Sequence, residues 1–312
     1  MTRARLPPDT LEAVARAKVN LFLRVLGRRP DGYHDLESLI VPISLADRLR
    51  VHAFAGGSFR TLSLSLDVSG DPALMSRVPV DETNLVLRAA RALAEAGDVR
   101  GFAEFVLDKR VPVASGLGGG SADAAAALRA LNDLWSLGFA PDRLLEIAAT
   151  VGSDVPALLL GGPVLARGRG DRVEPAPVAF LDLAVVPFSF GVSTAQAFAW
   201  WDEDGGRTGP DPGAALAALA GGGPAAAGAR ARALGGVLHN DLEESVVRRH
   251  AAVGQVRDRL LVSGAAAALM TGSGPTVVAV LPPGRSRLDA ANERELEAIS
   301  GRPVAYASWT GG

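Results

Sequence analysis

Residues 17–26, Ala-Lys-Val-Asn-Leu-Phe-Leu-Arg-Val-Leu, begin by alternating apolar and polar positions and predict a strand. Successive side chains of a strand point to opposite faces, so Lys18 and Asn20 share one face and Val19, Leu21 and Leu23 the other. Arg28-Arg29-Pro30-Asp31-Gly32 then reads as a turn, its Pro and Gly supplying the backbone constraints. Residues 38–45, 48–54 and 59–68 predict further strands; in the last, Leu62, Leu64 and Leu66 alternate with Ser63 and Ser65. The opening of the chain is β-rich and antiparallel in character.

The period then lengthens. Residues 83–96 predict a helix, with Leu85, Leu87, Ala90 and Leu93 among its apolar positions. A strand at 102–107 leads into a glycine-rich loop and an alanine-rich helix at 121–135. Another helix spans 142–151, with Pro141 where a first-turn proline belongs. Strands follow at 164–168 and 181–188. Residues 205–236 are rich in Gly, Ala, Pro and Arg. They read as short helices at 214–220 and 225–234 around a Gly-Gly-Gly-Pro break, with a disordered linker as the alternative. A helix at 242–262, strands at 267–270 and 277–281, a helix at 288–299 and a strand at 304–308 complete the pattern. No repeat of fixed period is present.

The 312 residues suffice for one large domain or two ordinary ones. A hydrophobic share of 48% excludes wholesale disorder, and a net charge of −2 argues against a nucleic-acid binder. The absence of cysteine excludes disulfides, iron–sulfur clusters and thiolate zinc sites. The first residues carry no apolar run after their positive charges, and no apolar stretch approaches the ~20 residues of a spanning helix. These features fit a cytoplasmic enzyme with no membrane partner.

The strongest chemical signal is Pro112-Val113-Ala114-Ser115-Gly116-Leu117-Gly118-Gly119-Gly120-Ser121-Ala122-Asp123. Consecutive glycines let backbone N–H groups approach an anion closely. The following helix adds its free N–H groups and positive dipole end. Ser115 and Ser121 offer hydroxyls to a phosphate or to Mg²⁺. In a chain with 36 glycines a simple tight turn is the alternative, but the strand–loop–helix context favours a triphosphate cradle. The loop lacks the Gly-Lys-Ser/Thr of a Walker A sequence, and it is not a Rossmann fingerprint.

The loop resembles the phosphate-binding motif of the GHMP kinases (galactokinase, homoserine, mevalonate and phosphomevalonate kinases). Ala17-Lys18-Val19-Asn20-Leu21 resembles the N-terminal motif of that family, and Met270-Thr271-Gly272-Ser273-Gly274-Pro275 its C-terminal glycine motif. Arg29-Pro30-Asp31-Gly32-Tyr33-His34, Gly152-Ser153-Asp154-Val155-Pro156 and His239-Asn240-Asp241-Leu242-Glu243 are similar to one branch of it. That branch phosphorylates the 2-hydroxyl of a diphosphocytidyl-methylerythritol in the non-mevalonate isoprenoid pathway. The resemblance runs from about residue 15 to 308. Residues 1–14 read as an added segment, and 205–236 match least.

The resemblance implies an α+β fold of two domains. Residues 1–165 would form a ribosomal protein S5 domain 2-like domain carrying the phosphate loop. Residues 166–312 would form a ferredoxin-like domain, with the active site in the cleft between the two. ATP and Mg²⁺ are the implied cofactors, and a small molecule is the implied partner of a monomer or homodimer.

The residue roles follow from the same resemblance. Asp154 would be the base for the acceptor hydroxyl and Lys18 its electrostatic partner. From the residues alone, a turn or cap residue is the commoner reading of Asp154, and Lys18 is as readily a solubility lysine on an edge strand. Pro112, Ser115, Gly116, Leu117, Gly118, Gly119, Gly120, Ser121 and Ala122 would hold the phosphates. Asn84, Leu85 and Lys109 match the adenine side, although Asn84 also suits a helix cap. Asn20, Tyr33, His34, Phe198 and Gly272 match the acceptor side, Tyr33 and Phe198 stacking on cytosine and His34 reading its edge. Trp200 and Trp201 compete with Phe198 for that place. Asp123 would either help hold Mg²⁺ or simply set an acid in the first helical turn; no metal ligand is assigned. The competing reading is another GHMP small-molecule kinase such as homoserine kinase, which has no reason to carry Asp31-Gly32-Tyr33-His34.

Overall fold

A computed structural model describes residues 9–57, 59–221 and 233–309. Its strands are β1 (Thr10–Arg28), β2 (His34–Ala55), β3 (Leu62–Gly70), β4 (Gly101–Lys109), β5 (Val164–Gly168), β6 (Arg172–Pro175), β7 (Leu181–Val186), β8 (His239–Asn240), β9 (Ala267–Met270), β10 (Val277–Val280) and β11 (Ala305–Trp309). Its helices are α1 (Pro72–Met75), α2 (Leu85–Ala96), α3 (Gly119–Leu134), α4 (Pro141–Val151), α5 (Val155–Leu160), α6 (Thr194–Glu203), α7 (Gly213–Ala220), α8 (Glu243–Arg249), α9 (Ala251–Val262) and α10 (Ala290–Ser300).

Two compact units interleave along the chain. Among the described residues, the first comprises 9–17, Ala46–Val113 and Gly119–Leu160; the second comprises Lys18–Leu45, Ala114–Gly118 and 161–309. The first unit's last segment ends at Leu160. Residues 18–45 and 114–118, however, group with the C-terminal half.

In the first unit β4 pairs antiparallel with the second half of β2, from Arg48 opposite Asp108 to Ala55 opposite Gly101. β3 pairs parallel with β4, Leu62 opposite Gly101, and the connection through α2 is the crossover that a parallel pair needs. The opening of the chain is thus less uniformly antiparallel than its alternation suggested. Leu93, Phe105, Leu107, Leu128 and Leu131 lie in the buried core under α2, α3, α4 and α5. Ala124 to Ala127 of α3 are all fully buried, and their small side chains let neighbouring elements pack close on every side.

In the second unit β7, β9, β10 and β11 form an antiparallel sheet in the order β11-β7-β10-β9. Taken in chain order these are strands one to four, arranged fourth-first-third-second, with α9 and α10 in the two crossovers. That is the ferredoxin-like arrangement. The first half of β2 pairs antiparallel with β5, and β1 pairs parallel with β8, Phe22 opposite His239.

Four departures from the sequence pattern stand out. Residues 38–45 and 48–54 are one strand, β2, because Asp47 is buried within it rather than exposed in a turn. The helix expected at 242–262 breaks at His250, whose φ of −136° and ψ of 76° are not helical. α6 went unread, although Ser193 and Gln196 form a capping box at its start. β1 begins at Thr10, so part of the expected added segment belongs to the sheet. The helix expected at 225–234 falls mostly outside the described residues. No described helix is long and apolar enough to cross a membrane.

Candidate active site

The second unit holds the centre of the glycine loop against β1. Lys18 N donates to Leu117 O at 2.9 Å, and the Lys18 ammonium donates to Gly116 O at 2.9 Å and to Asn20 Oδ1 at 2.6 Å. Asn20 passes the chain on, its Nδ2 donating to Ser38 Oγ at 2.7 Å and its backbone N–H to Thr271 Oγ1 at 2.7 Å. Lys18 is only 3% exposed, so the edge-strand solubility role is excluded. A buried ammonium needs such partners, and here a loop carbonyl is one of them.

The C-terminal glycine motif completes this arrangement. Asn240 Nδ2 donates to Met270 O at 2.7 Å and to Gly272 O at 2.8 Å. Gly272 has φ +57°, and a Cβ there would come within 2.9 Å of the Lys18 ammonium and 3.1 Å of Asn20 Oδ1. Gly116, at φ +82°, has no room for a side chain beside Thr271 O. Glycine is therefore required at these two positions both by conformation and by space.

The first unit fixes the two ends of the loop. Gly119 opens α3, and a Cβ on it would lie 2.9 Å from the Lys109 ammonium. Lys109 donates to Asp47 and, at 3.1 Å, to Asp123 Oδ2; all three side chains are buried. Asp47 Oδ1 also accepts from the backbone N–H groups of Arg110 at 2.6 Å and Val111 at 2.8 Å. Burial pulls the Lys109 ammonium down, but Asp123 and Asp47 outweigh it and hold its pKa above the ordinary value. Burial pushes the Asp123 carboxyl up from 3.8 to about 8; Lys109 opposes this and Asp47 adds to it.

The protonation of Asp123 makes a stability prediction. Its folded pKa is raised, so its contribution is full below about pH 4 and is lost as pH rises to about 8. Asp123→Asn cannot titrate, so the stability it loses relative to the parent should shrink as pH rises through this window. Thermal melts of both proteins across the window read the difference. A difference in Tm independent of pH would mean that Asp123 is ionised throughout.

Asp123 does not fit the role of a Mg²⁺ ligand. Its carboxyl faces an ammonium and favours its proton, which a hard cation would have to displace. Among the described residues no group of three or more His, Asp or Glu side chains could hold a metal.

Asn84 caps α2, its Oδ1 accepting from Val86 N at 2.8 Å and its Nδ2 donating to Pro79 O at 2.7 Å. Leu85 stands next to it, and its Cδ1 would be 3.6 Å from a Cβ on Gly120. Asn84, Leu85, Lys109 and the start of α3 belong to one unit. Asp154 sits half-buried between Gly152, the cap of α4, and Val155, the first residue of α5. Arg129 anchors the far end of α5, donating to Leu158 O at 3.0 Å and Leu159 O at 2.9 Å.

The turn at 29–34 is closed by Gly32 N donating to Arg29 O at 3.1 Å and Arg29 N to Tyr33 O at 2.7 Å. Tyr33 is 54% exposed, with the Arg169 guanidinium 5.1 Å from its ring centre. His34 is buried, and its Nε2 lies 3.0 Å from Asp202 Oδ1. Phe198 stacks on the His34 ring at 4.7 Å with 20° between planes, and Trp201 meets it edge-on at 5.7 Å. Of the three aromatic candidates on α6, Trp201 belongs to the core and Trp200 lies under Arg249. Phe198 is the one stacked on His34. Asp47, Ser38 and Asp202 carry no signal in the sequence; each is an ordinary polar residue whose partner is distant in the chain.

Two family descriptions match this chain: GHMP kinases N terminal domain over residues 84–162 and GHMP kinases C terminal over residues 215–296. A 4-diphosphocytidyl-2-C-methyl-D-erythritol kinase of Pelotomaculum thermopropionicum is 45% identical over 86% of this chain and 88% of its own length. One of Symbiobacterium thermophilum is 40% identical over 96% of this chain and 98% of its own. Among solved structures, a crystal structure of 4-(cytidine 5'-diphospho)-2C-methyl-D-erythritol kinase is 33% identical, with a TM-score of 0.71, and covers 97% of this chain and 100% of its own. A homoserine kinase from Cytophaga hutchinsonii shares the fold at 17% identity, with a TM-score of 0.66 over 99% of this chain and 96% of its own.

Proposed function

The chain belongs to the GHMP kinase family, and from that premise we infer how its residues carry out the reaction of its relatives. It transfers the γ-phosphoryl group of ATP to the 2-hydroxyl of 4-diphosphocytidyl-2-C-methyl-D-erythritol. One observation carries this reading: relatives at 40% and 45% identity across most of the chain share that activity. The buried Lys18–Asn20–Gly116 contact supports it, since an ammonium braced on a phosphate loop suits phosphoryl transfer.

Each residue has a chemical task. Backbone N–H groups of the loop and of the first turn of α3 receive the phosphates. Lys18 holds the loop carbonyl in place and offers positive charge to the phosphoryl oxygens as their charge is redistributed. Asp154 accepts the proton of the acceptor hydroxyl as it attacks phosphorus. Mg²⁺ enters with ATP as the counter-ion of its phosphates, and no step is assigned to a protein-held metal.

Cytosine recognition falls to Tyr33, His34 and Phe198. A carboxylate only accepts, so Nε2 of His34 carries the proton shared with Asp202 and Nδ1 is left to meet the base. The exposed Tyr33 ring is available for stacking. Tyr33→Ala is expected to raise KM for the cytidylated acceptor about five- to 150-fold, the worth of one base–aromatic stack, and to leave KM for ATP unchanged. Steady-state kinetics with each substrate varied separately check this. A rise confined to ATP would place Tyr33 on the adenine side.

The reaction itself is tested by ATP turnover with the cytidylated acceptor, homoserine and mevalonate in parallel. Turnover confined to the first supports the assignment. Faster turnover of homoserine would move the chain to another branch of the family.

A further inference from the structure

The buried Asp47–Lys109–Asp123 cluster has no task in the chemistry above, yet it touches both ends of the glycine loop. Asp47 lies on β2, and both of its carboxylate oxygens are engaged at the loop's entry. Its Oδ1 takes the backbone N–H groups of Arg110 and Val111, the segment entering the loop, and its Oδ2 takes the Lys109 ammonium. Lys109 reaches on to Asp123 in the first turns of α3, the helix leaving the loop. The two chain ends are packed tightly enough that a Cβ on Gly119 would lie 2.9 Å from the Lys109 ammonium and 3.0 Å from Val111 Cγ1.

A phosphate loop works only if its amides are already aimed when the anion arrives, because ordering them on binding costs affinity. The start of α3 must likewise stay where its dipole meets the phosphates. We propose that Asp47 is a positioning residue for ATP: acting through Lys109, it holds the entry strand and the exit helix of the phosphate loop at a fixed separation without touching the nucleotide. This rests on the reading of the loop as the ATP site. In this account the Lys109 ammonium is spent on the clamp and its contribution to ATP binding is indirect. Asp123 Oδ1, buried in the same cluster, has no hydrogen-bond partner among the described residues.

Asp47→Asn is the informative variant. The amide oxygen can still accept from Arg110 and Val111, but its –NH₂ cannot accept from Lys109. Binding of a non-hydrolysable ATP analogue, read by calorimetry, should weaken about 10- to 100-fold, the loss expected when a charged hydrogen bond is removed in burial. KM for the cytidylated acceptor should change less than threefold. Hydrogen exchange of amides 110–122 should speed up, while those of β3 and β4 outside that stretch keep their protection. Lys109→Met should weaken analogue binding to a similar extent, and the double variant should be no weaker than the worse single, because both act through one link.

Unchanged analogue binding with a lowered Tm would overturn the proposal and leave Asp47 a purely structural residue. Additive losses in the double variant would overturn it too, because Lys109 would then contact ATP itself. Should Asp47→Asn not fold, Asp123→Ala removes the acceptor at the other arm of the link and must show the same selective loss of analogue binding. The calorimetry needs no acceptor, so it stands even if the acceptor assignment fails. A parent protein that binds no ATP analogue would instead reject the ATP site itself.

Discussion

Asp154→Asn is expected to fold, to bind both substrates and to lose about 10²- to 10⁴-fold in kcat. The substitution keeps size and shape at the junction of α4 and α5. Val155, Pro156 and Ala157 are buried behind that junction and Arg129 anchors the far end of α5, so the backbone should stay in place. What changes is the ability to accept a proton. An alcohol is a poor nucleophile until its proton has somewhere to go, and an amide is not a base. Phosphoryl transfer passes through a loose transition state in which positioning carries much of the catalysis, so the size of the loss measures how much the base contributes. Single-turnover kinetics with both substrates saturating give the chemical step directly. A variant with near-parent kcat would remove Asp154 from the base role and leave orientation and charge as the source of the rate.

Lys18→Met should cost about 10²- to 10³-fold in kcat, the usual loss when a preorganised positive donor is taken from developing charge. It should differ from the Asp154 variant in one respect. The Lys18 ammonium also holds Gly116 O and Asn20 Oδ1, so its removal loosens the loop and raises KM for ATP as well. Methionine fills the space of the lysine stem, which lies close beneath Gly118: a Cβ there would be 2.9 Å from Lys18 Cε. Circular dichroism and Tm separate misfolding from lost chemistry. Loss of kcat with KM for ATP unchanged would confine Lys18 to the reacting phosphoryl group. Intact kcat with raised KM would make it a loop brace alone.

The parts of the site that were legible in the sequence are those written in consecutive residues. The glycine loop announces itself because a positive φ favours glycine, as at Gly116 and Gly118. Lys18 and Asn20 were legible because a strand places alternate residues on one face, and the structure joins the two by a hydrogen bond of 2.6 Å. β5 and β9 have the bounds that the sequence pattern predicts: β9 is wholly apolar, and β5 opens on three apolar residues and ends at a glycine. Asp47 was hidden because an acid between two apolar runs ordinarily marks a turn. Within the strand it is paired with Lys109, from β4, and accepts from the backbone N–H groups of Arg110 and Val111. Asp202 was hidden for a similar reason: nothing near it in the chain announces a partner as distant as His34. α6 has a capping box but a weak apolar stripe, burying only Ala197 and Trp201, so periodicity could not find it. Local rules expose local structure, whereas a charge neutralised by a partner from another element leaves no local trace.

The most direct test of the whole account is the identity of the product. Incubation with ATP and 4-diphosphocytidyl-2-C-methyl-D-erythritol, followed by ³¹P NMR, should show one new phosphomonoester formed in step with ADP. Carbon–phosphorus couplings should place it on C2, with the diphosphate of the acceptor intact. Release of inorganic phosphate with the acceptor unchanged, or a phosphoryl group on any other hydroxyl, would contradict it.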